Sequence, residues 1–199
     1  MSYFVLSSLL TLAYSGPYFC MPLSRMSGQN FLYFAYGSNL LKQRLRLQNP
    51  TAVYKTTAKL KNYRLMFCSM HNPAESRWHG GIATIQNRAH SCVWGTVWEL
   101  GVEDIPNLDR QESIYKAINV DVLTPDGTKL ICRTYMLEPK DIPSRWDSRP
   151  SPQYMDVIIK GACQSNLPED YINQLKNVEH NNYTGTVKVY EEVLQSVDR

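Results

Sequence analysis

The feature of the sequence that most constrains the fold is the junction between an apolar strand and a helix. The stretch FLYFAYGSNLLKQRLRL, from residue 31 to 47, opens as an aromatic and apolar run that predicts a central strand over residues 31–36. Small polar residues follow at Gly37, Ser38 and Asn39, and helical spacing then predicts a helix over residues 40–48. Ser38 and Asn39 could cap that helix, or the free N–H groups at its start could hold an anion.

The composition fits one globular domain without a nucleic-acid partner. The chain has 199 residues, 43% of them hydrophobic, which is enough for a substantial core. The formal net charge of +3 is mild. Lys42, Arg44 and Arg46 of the predicted helix are interpreted as a solvated basic face, because nucleic-acid binding would need a broader basic stripe with aromatic residues.

Residues 1–30 are predicted to be an N-terminal extension, and residues 31–199 the folded domain. The apolar stretch near the start has the length of a signal-peptide core and is too short to span a membrane easily, so we expect no membrane partner. No Lys or Arg precedes it, and Met21 and Met26 offer later starts, so an assigned start that is too early is an alternative. A secreted protein is the other alternative, if residues 1–15 act as a signal peptide.

The cysteine pattern indicates a reducing compartment. The five cysteines are scattered and never form Cys-x-x-Cys, which argues against a disulfide framework and against a zinc site. Reduced thiols favour a cytoplasmic protein.

The predicted elements indicate an α+β class: a mixed, barrel-like β-sheet with flanking helices. Strands are predicted over residues 54–60 and 63–67, joined as a hairpin through Lys61 and Asn62. Two more are predicted at 82–86 and 92–100 around the turn-rich NRAHS, and a hairpin at 117–123 and 129–136 around Pro125-Asp126-Gly127. Helices are predicted over 102–111, 152–161 and 168–178.

Several motifs that mark cofactor or metal enzymes are absent from the sequence. It has no Gly-x-Ser-x-Gly, P-loop, His-Glu-x-x-His or Gly-x-Gly-x-x-Gly, and its four histidines lack metal-ligand spacing. We therefore predict no cofactor and no metal, so that side chains alone would carry any chemistry.

With cofactor and metal motifs absent, four candidate sites remain, and each also has an ordinary structural explanation. The turn at Gly37 could be a simple capped turn. Glu112 could accept and return a proton if burial raises its pKa, or be a solvated residue at a helix end, and Asp109 competes for the same role. His79, in RWHGG, could be a donor or base, or pack in a loop. Tyr154 could face a cleft from the first turn of its helix, or lie in the core.

The order of several segments resembles the gamma-glutamylcyclotransferase family. The segments are YFAYGSNL (33–40), WHGGIATI (78–85), VWGTVW (93–98), LDRQE (108–112), CRTYML (132–137), SPQY (151–154) and YTG (183–185). The resemblance covers residues 31–190. With Asn39 at the end of the turn, this sequence is similar to the members that act on gamma-glutamyl amino acids. At the same turn, glutathione-specific members read Tyr-Gly-Ser-Leu and gamma-glutamylamine cyclotransferases read Tyr-Gly-Thr-Leu.

The resemblance implies a lyase-type reaction of glutathione metabolism, in the gamma-glutamyl cycle. The substrate's own α-amine attacks its γ-carbonyl, forms 5-oxoproline and releases a free amino acid. The family's catalytic glutamate matches Glu112. Its substrate-binding residues match Tyr33, Phe34, Ala35, Tyr36, Gly37, Ser38 and Tyr154. The turn would then hold the substrate's α-carboxylate, and relatives suggest a homodimer.

Two departures from the family leave alternatives open. Many relatives carry glycine after the catalytic glutamate, where this chain has Ser113; a positive φ there would strain the backbone and shift Glu112. The loop before SPQY is longer here, with Trp146 and with Arg133, Arg145 and Arg149 nearby, which affects the expected preference for the released amino acid. The alternatives are a non-catalytic binding protein of the same fold, and a cyclotransferase acting on glutathione or on gamma-glutamylamines.

Overall fold

The computed structural model describes residues 28–69, 72, 75–138, 140 and 145–197. Residues 1–27 of the predicted N-terminal extension therefore lie outside the described part, and that prediction stays open. The first strand begins at Asn30, one residue before the predicted boundary. Just before it, the Gln29 carbonyl accepts a hydrogen bond from the Val102 N–H at 3.0 Å.

Five strands form a closed barrel in the order β1-β3-β2-β4-β5. Their bounds are β1 Asn30–Ala35, β2 Val53–Cys68, β3 Ile82–Gly101, β4 Lys116–Leu123 and β5 Lys129–Met136. Neighbouring strands are antiparallel except β1 and β5, which meet in parallel at Tyr33 and Arg133 and close the barrel. The predicted class, a mixed barrel-like sheet with flanking helices, is confirmed.

Two predicted strand breaks are wrong, because β2 and β3 run through them. Lys61 and Asn62 do not form a hairpin turn; Asn62 takes a φ of 62° within β2, where the pairing register shifts between Lys61 and Tyr63. The NRAHS segment is part of β3, and its extra residues bulge opposite Asn62. A residue type that favours turns can also be placed in a bulge, which bends a strand without ending it.

The helices flank the barrel, and they differ from the prediction at the first helix and at the last. They are α1 Lys42–Arg46, α2 Ile105–Gln111, α3 Pro152–Gln164, α4 Glu169–Lys176 and α5 Lys188–Val197. The predicted helix over residues 40–48 is a 3-10 turn, Ser38–Leu40, followed by the short α1. Helices α2, α3 and α4 were predicted with similar bounds, whereas α5 was missed. In the described part of the chain, none of the helices is long and apolar enough to cross a membrane.

Strand β1 separates two hydrophobic clusters and so fixes where the turn after it lies. Phe34 and Tyr36 pack in the larger cluster, together with α3. Tyr33 and Ala35, on the opposite face, pack with Trp98 in the smaller one. These four side chains, three in β1 and Tyr36 directly after it, are at most 6% exposed. β1 is therefore central as predicted, and its end places Gly37 at the barrel edge.

Candidate active site

The turn after β1 is held in place by close packing. Leu40 N–H donates to the Gly37 carbonyl at 2.9 Å, which leaves the N–H groups of Ser38 and Asn39 ahead of the first hydrogen bond of the turn. A Cβ on Gly37 would lie 3.3 Å from both the Tyr154 hydroxyl and the Ala83 Cβ. A Cβ on Gly161 of α3 would lie 2.4 Å from Leu41 N, so this glycine lets α3 pack directly against the turn.

Asn39 connects the turn to Glu112 instead of capping a helix. Its side-chain N–H₂ donates to Glu112 Oε1 at 2.9 Å and to the Tyr33 hydroxyl at 3.0 Å. Gln111 donates to Asn39 Oδ1 at 2.7 Å, and the Trp98 indole donates to the Asn39 carbonyl at 3.1 Å. Neither Ser38 nor Asn39 makes a side-chain cap, because the Asn39 amide binds Glu112 and the Ser38 side chain hydrogen-bonds to Tyr154.

Glu112 lies at the end of α2 in an environment that raises its pKa. Burial raises the pKa of Glu112 to about 7, although the charges of Arg44 and Arg77 and the hydrogen bond from Asn39 act in the opposite direction. The condition that made Glu112 a candidate proton carrier is therefore met: near neutral pH both its protonated and its ionised forms are present.

Asp109, the competing carboxylate, lies in a different environment. Its side chain is exposed and forms a 2.6 Å ion pair with Arg133 of β5, and the Tyr135 hydroxyl also donates to it. Burial alone would raise the pKa of Asp109, but these hydrogen bonds outweigh it and hold the pKa below its ordinary value. Asp109 is thus a paired surface carboxylate and does not line the cavities beside Glu112.

Buried tyrosines surround Glu112 with neutral hydroxyl groups. The Tyr154 hydroxyl accepts a 3.2 Å hydrogen bond from the Ala83 N–H, and the Tyr115 hydroxyl donates to the Ala83 carbonyl at 2.9 Å. The Tyr36 hydroxyl donates to the Tyr135 carbonyl. Burial raises the pKa values of Tyr36, Tyr115 and Tyr154 above the ordinary value of tyrosine, so all three hydroxyl groups remain protonated at neutral pH.

Two cavities meet at Glu112. The outer one has a volume of about 230 Å³ and is lined by Ser69 and by residues 75–78, which precede β3. The inner one, of about 30 Å³, reaches the turn at Gly37 and the buried Tyr33. Both are lined by Ser38, Glu112, Tyr115 and Tyr154. A molecule that occupied both cavities would pass directly beside the Glu112 carboxylate.

The structure brings together most of the predicted site residues. Tyr33, Tyr36, Gly37, Ser38, Glu112 and Tyr154 line the cavities. Phe34 and Ala35 do not; their side chains are buried in the two hydrophobic clusters. From the RWHGG segment, Trp78 lines the outer cavity and packs on Tyr154, whereas the His79 ring stacks on Tyr183 at 4.5 Å.

The two departures noted in the sequence leave the site intact. Ser113 is not among the residues with positive φ in the described chain, so it adds no left-handed strain beside Glu112. Arg133 and Arg149 are engaged in ion pairs with acidic side chains, and the Arg145 guanidinium packs over Trp146. None of these three arginines lines the cavities at Glu112.

Sequence reasoning missed several residues of the site. Asn39 was used only to compare families, although it is the hydrogen-bond partner of Glu112. Tyr115 lines both cavities and Arg44 the outer one, but the sequence assigned no site role to Tyr115 and interpreted Arg44 as part of a solvated face. Their signal is weak in a single sequence, because one is a tyrosine among thirteen and the other lies in a run of basic residues. Within the described residues, no group of three or more His, Cys, Asp or Glu side chains could hold a metal ion.

Comparison with known proteins decides the family. The chain is 41% identical over 179 residues to a gamma-glutamylcyclotransferase of Bos taurus, with 87% of this chain and 91% of the relative covered. It is 40% identical over 173 residues to the Mus musculus protein of that name, with 84% and 89% covered. The chain belongs to the gamma-glutamylcyclotransferase family.

Structural comparison agrees with this assignment. A solved gamma-glutamyl cyclotransferase superposes with a TM-score of 0.77 at 37% identity, over 84% of this chain and 99% of the other. The sequence profile of the AIG2-like family matches residues 92–175. This gamma-glutamylcyclotransferase family member has the barrel, the turn and the half-buried glutamate in the arrangement described above.

Proposed function

We propose that this protein is a gamma-glutamylcyclotransferase, which converts gamma-glutamyl amino acids to 5-oxoproline and a free amino acid in glutathione metabolism. The observation that carries the proposal is the Glu112 carboxylate, bound by Asn39 where the two cavities meet, with its pKa raised to about 7. The reaction needs a proton carrier at the scissile bond and no enzyme nucleophile, because the substrate brings its own amine.

Glu112 serves as both base and acid in this mechanism. Its carboxylate takes a proton from the substrate's α-ammonium group, which exposes the nitrogen lone pair. The amine attacks the γ-carbonyl carbon, the new C–N bond closes a five-membered ring, and the old C–N bond breaks as the departing nitrogen is protonated. Two protons pass in total from the attacking to the departing nitrogen. Glu112 can carry them one after the other, since each donation restores its carboxylate.

The turn orients the substrate for ring closure. We assign the substrate's α-carboxylate to the N–H groups of Ser38 and Asn39, beside the inner cavity. That cavity, of about 30 Å³, has room for roughly two water-sized groups, which matches a carboxylate. Tyr154 and Tyr36 complete this end of the site as neutral hydroxyl groups. The same contacts fold the substrate so that its amine approaches its own γ-carbonyl.

Product analysis tests the proposed function. The purified protein is incubated with gamma-glutamyl-alanine, with glutathione and with lysine carrying a gamma-glutamyl group on its side-chain amine. We expect 5-oxoproline and alanine in equal amounts from the first substrate, and slower release of 5-oxoproline from the other two. If none of the three yields 5-oxoproline while calorimetry detects binding of gamma-glutamyl-alanine, the protein is a binding protein of the same fold.

Removing the Asn39 side chain should shift the pH dependence of the reaction. The Asn39 hydrogen bond stabilises the ionised form of Glu112 and so lowers its pKa. In Asn39→Ala the pKa of Glu112 rises above about 7, so a larger fraction is protonated at neutral pH and cannot act as the base. We expect the acidic limb of kcat/KM to move to higher pH, measured between pH 5 and 9 under conditions of equal folding. An unmoved limb would contradict the role of Asn39.

The oligomeric state and the location of the protein are also proposals. A homodimer rests on the resemblance to the family, and sedimentation equilibrium would measure it. A cytoplasmic location is supported by the cysteine pattern; Cys68, Cys92, Cys132 and Cys163 all carry free thiols. Fractionation of cells that express the full-length chain would distinguish this location from secretion.

A further inference from the structure

Arg44 is a buried cation that makes no hydrogen bond or ion pair with the part of the chain that the structure describes. It lies on α1 and is only 4% exposed. Its Nε atom is fully buried without a hydrogen bond, and within the described residues its guanidinium forms no ion pair. The sequence had placed Arg44 on a solvated basic face, which is wrong. Arginine is almost never buried in this way unless its charge is compensated.

The surroundings of Arg44 indicate what compensates its charge. Burial lowers the pKa of Arg44, and the charge of Glu112 is the strongest influence in the opposite direction. Glu112, however, forms no ion pair with Arg44; its Oε1 accepts the hydrogen bond from the Asn39 amide. Arg44 instead lines the outer cavity, together with Arg77. Its planar N–H groups suit two-point binding of a carboxylate.

The division between the two cavities decides which carboxylate would reach Arg44. The inner cavity is lined by the turn at Gly37 and not by Arg44, whereas the outer cavity is lined by Arg44 and not by Gly37. Glu112 lies between them and, on the proposed function, beside the bond that breaks. With the substrate's γ-glutamyl end at the turn, the amino acid to be released lies in the outer cavity, where both arginines are.

We propose that Arg44 binds the carboxylate of the amino acid that is released, and thereby selects gamma-glutamyl amino acids over gamma-glutamylamines, which lack this group. This inference rests on the proposed function of the same site. Arg77, exposed at the cavity mouth, adds positive charge on the same side.

A pair of substrates that differ only in this carboxylate tests the proposal. Gamma-glutamyl-alanine and gamma-glutamyl-alaninamide have the same size, but the second is uncharged at the position in question. We expect the wild type to prefer the acid in kcat/KM by about 10- to 100-fold, the usual worth of a hydrogen-bonded charge pair. In Arg44→Met this ratio should fall close to one, mainly through a higher KM for the acid. Arg44→Lys should restore part of it.

Each alternative gives a different result. If Arg44 acts only on the pKa of Glu112, Arg44→Met lowers kcat/KM equally for both substrates and shifts the acidic limb of the pH profile. The acid-to-amide ratio then stays unchanged, which overturns the proposal. A wild type that turns over acid and amide equally also overturns it, although the proposed function stands. Absence of 5-oxoproline from both substrates would instead reject the proposed function itself.

Two controls separate binding from folding. Arg46→Met makes the same change on the same helix, at an exposed arginine whose Nε donates to the Ala52 carbonyl at 2.9 Å, and should leave the acid-to-amide ratio as in wild type. The melting temperature of Arg44→Met should be equal to or above that of wild type, because an unpaired buried charge does not stabilise a fold. A large drop in melting temperature would show that Arg44 is a structural residue and contradict the proposal.

Discussion

Glu112→Gln is expected to lower kcat by about 10⁴-fold, the upper end of what general acid–base catalysis contributes. Glutamine keeps the shape of the side chain, and its amide oxygen can still accept the 2.9 Å hydrogen bond from Asn39. It cannot accept the α-ammonium proton, and a protonated amine has no lone pair for the attack. Because one group serves both proton transfers, its loss affects both. Formation of 5-oxoproline measures the rate, and calorimetry with gamma-glutamyl-alanine measures binding, which should persist.

Asp109→Asn is the matched control, since it converts a carboxylate to an amide three residues earlier on the same helix. Asp109 is exposed and paired with Arg133, so its replacement should change kcat by no more than a few-fold. Full activity in Glu112→Gln, or an equal loss in Asp109→Asn with the fold intact, would mean that the proton carrier is assigned to the wrong residue.

Gly37→Val is expected to abolish measurable substrate binding or to raise KM sharply. Already the Cβ would lie 3.3 Å from the Tyr154 hydroxyl and from the Ala83 Cβ, and the two methyl groups of valine have still less room. They would push the turn away from Tyr154 and cover the N–H groups that we assign to the α-carboxylate. The backbone at Gly37 has a negative φ of −110°, so the expected effect is argued from contacts and not from a left-handed conformation.

Gly37→Ala provides the graded comparison. Its single methyl group needs its neighbours to yield by only a few tenths of an ångström, so we expect an intermediate KM. Titration with gamma-glutamyl-alanine and thermal melting are measured for both variants. If Gly37→Val folds normally and turns over substrate like wild type, the carboxylate does not bind at this turn.

Local sequence signals predicted the elements whose pattern is uninterrupted. The apolar run before Gly37 predicted β1, and the Pro125-Asp126-Gly127 turn predicted the hairpin of β4 and β5. The helices that follow Ser151 and Pro168 lie where their prolines indicated. The long hairpin of β2 and β3 was missed, because Asn62 and the NRAHS segment carry turn-forming residues that the structure uses in a bulge. A bulge is stabilised by the partner strand, so one strand's sequence cannot distinguish it from a turn.

The sequence by itself determined the strand, the glycine turn, the carboxylate at the end of α2 and, through the order of its motifs, the family. Only the tertiary structure decided what surrounds them. It joins Asn39 to Glu112 across 73 residues of chain, turns Asp109 outward to Arg133, and buries Arg44 in a helix of five residues. The reason is that burial and charge pairing depend on which distant segments pack together, and a pKa near 7 or an unpaired cation arises only from that packing.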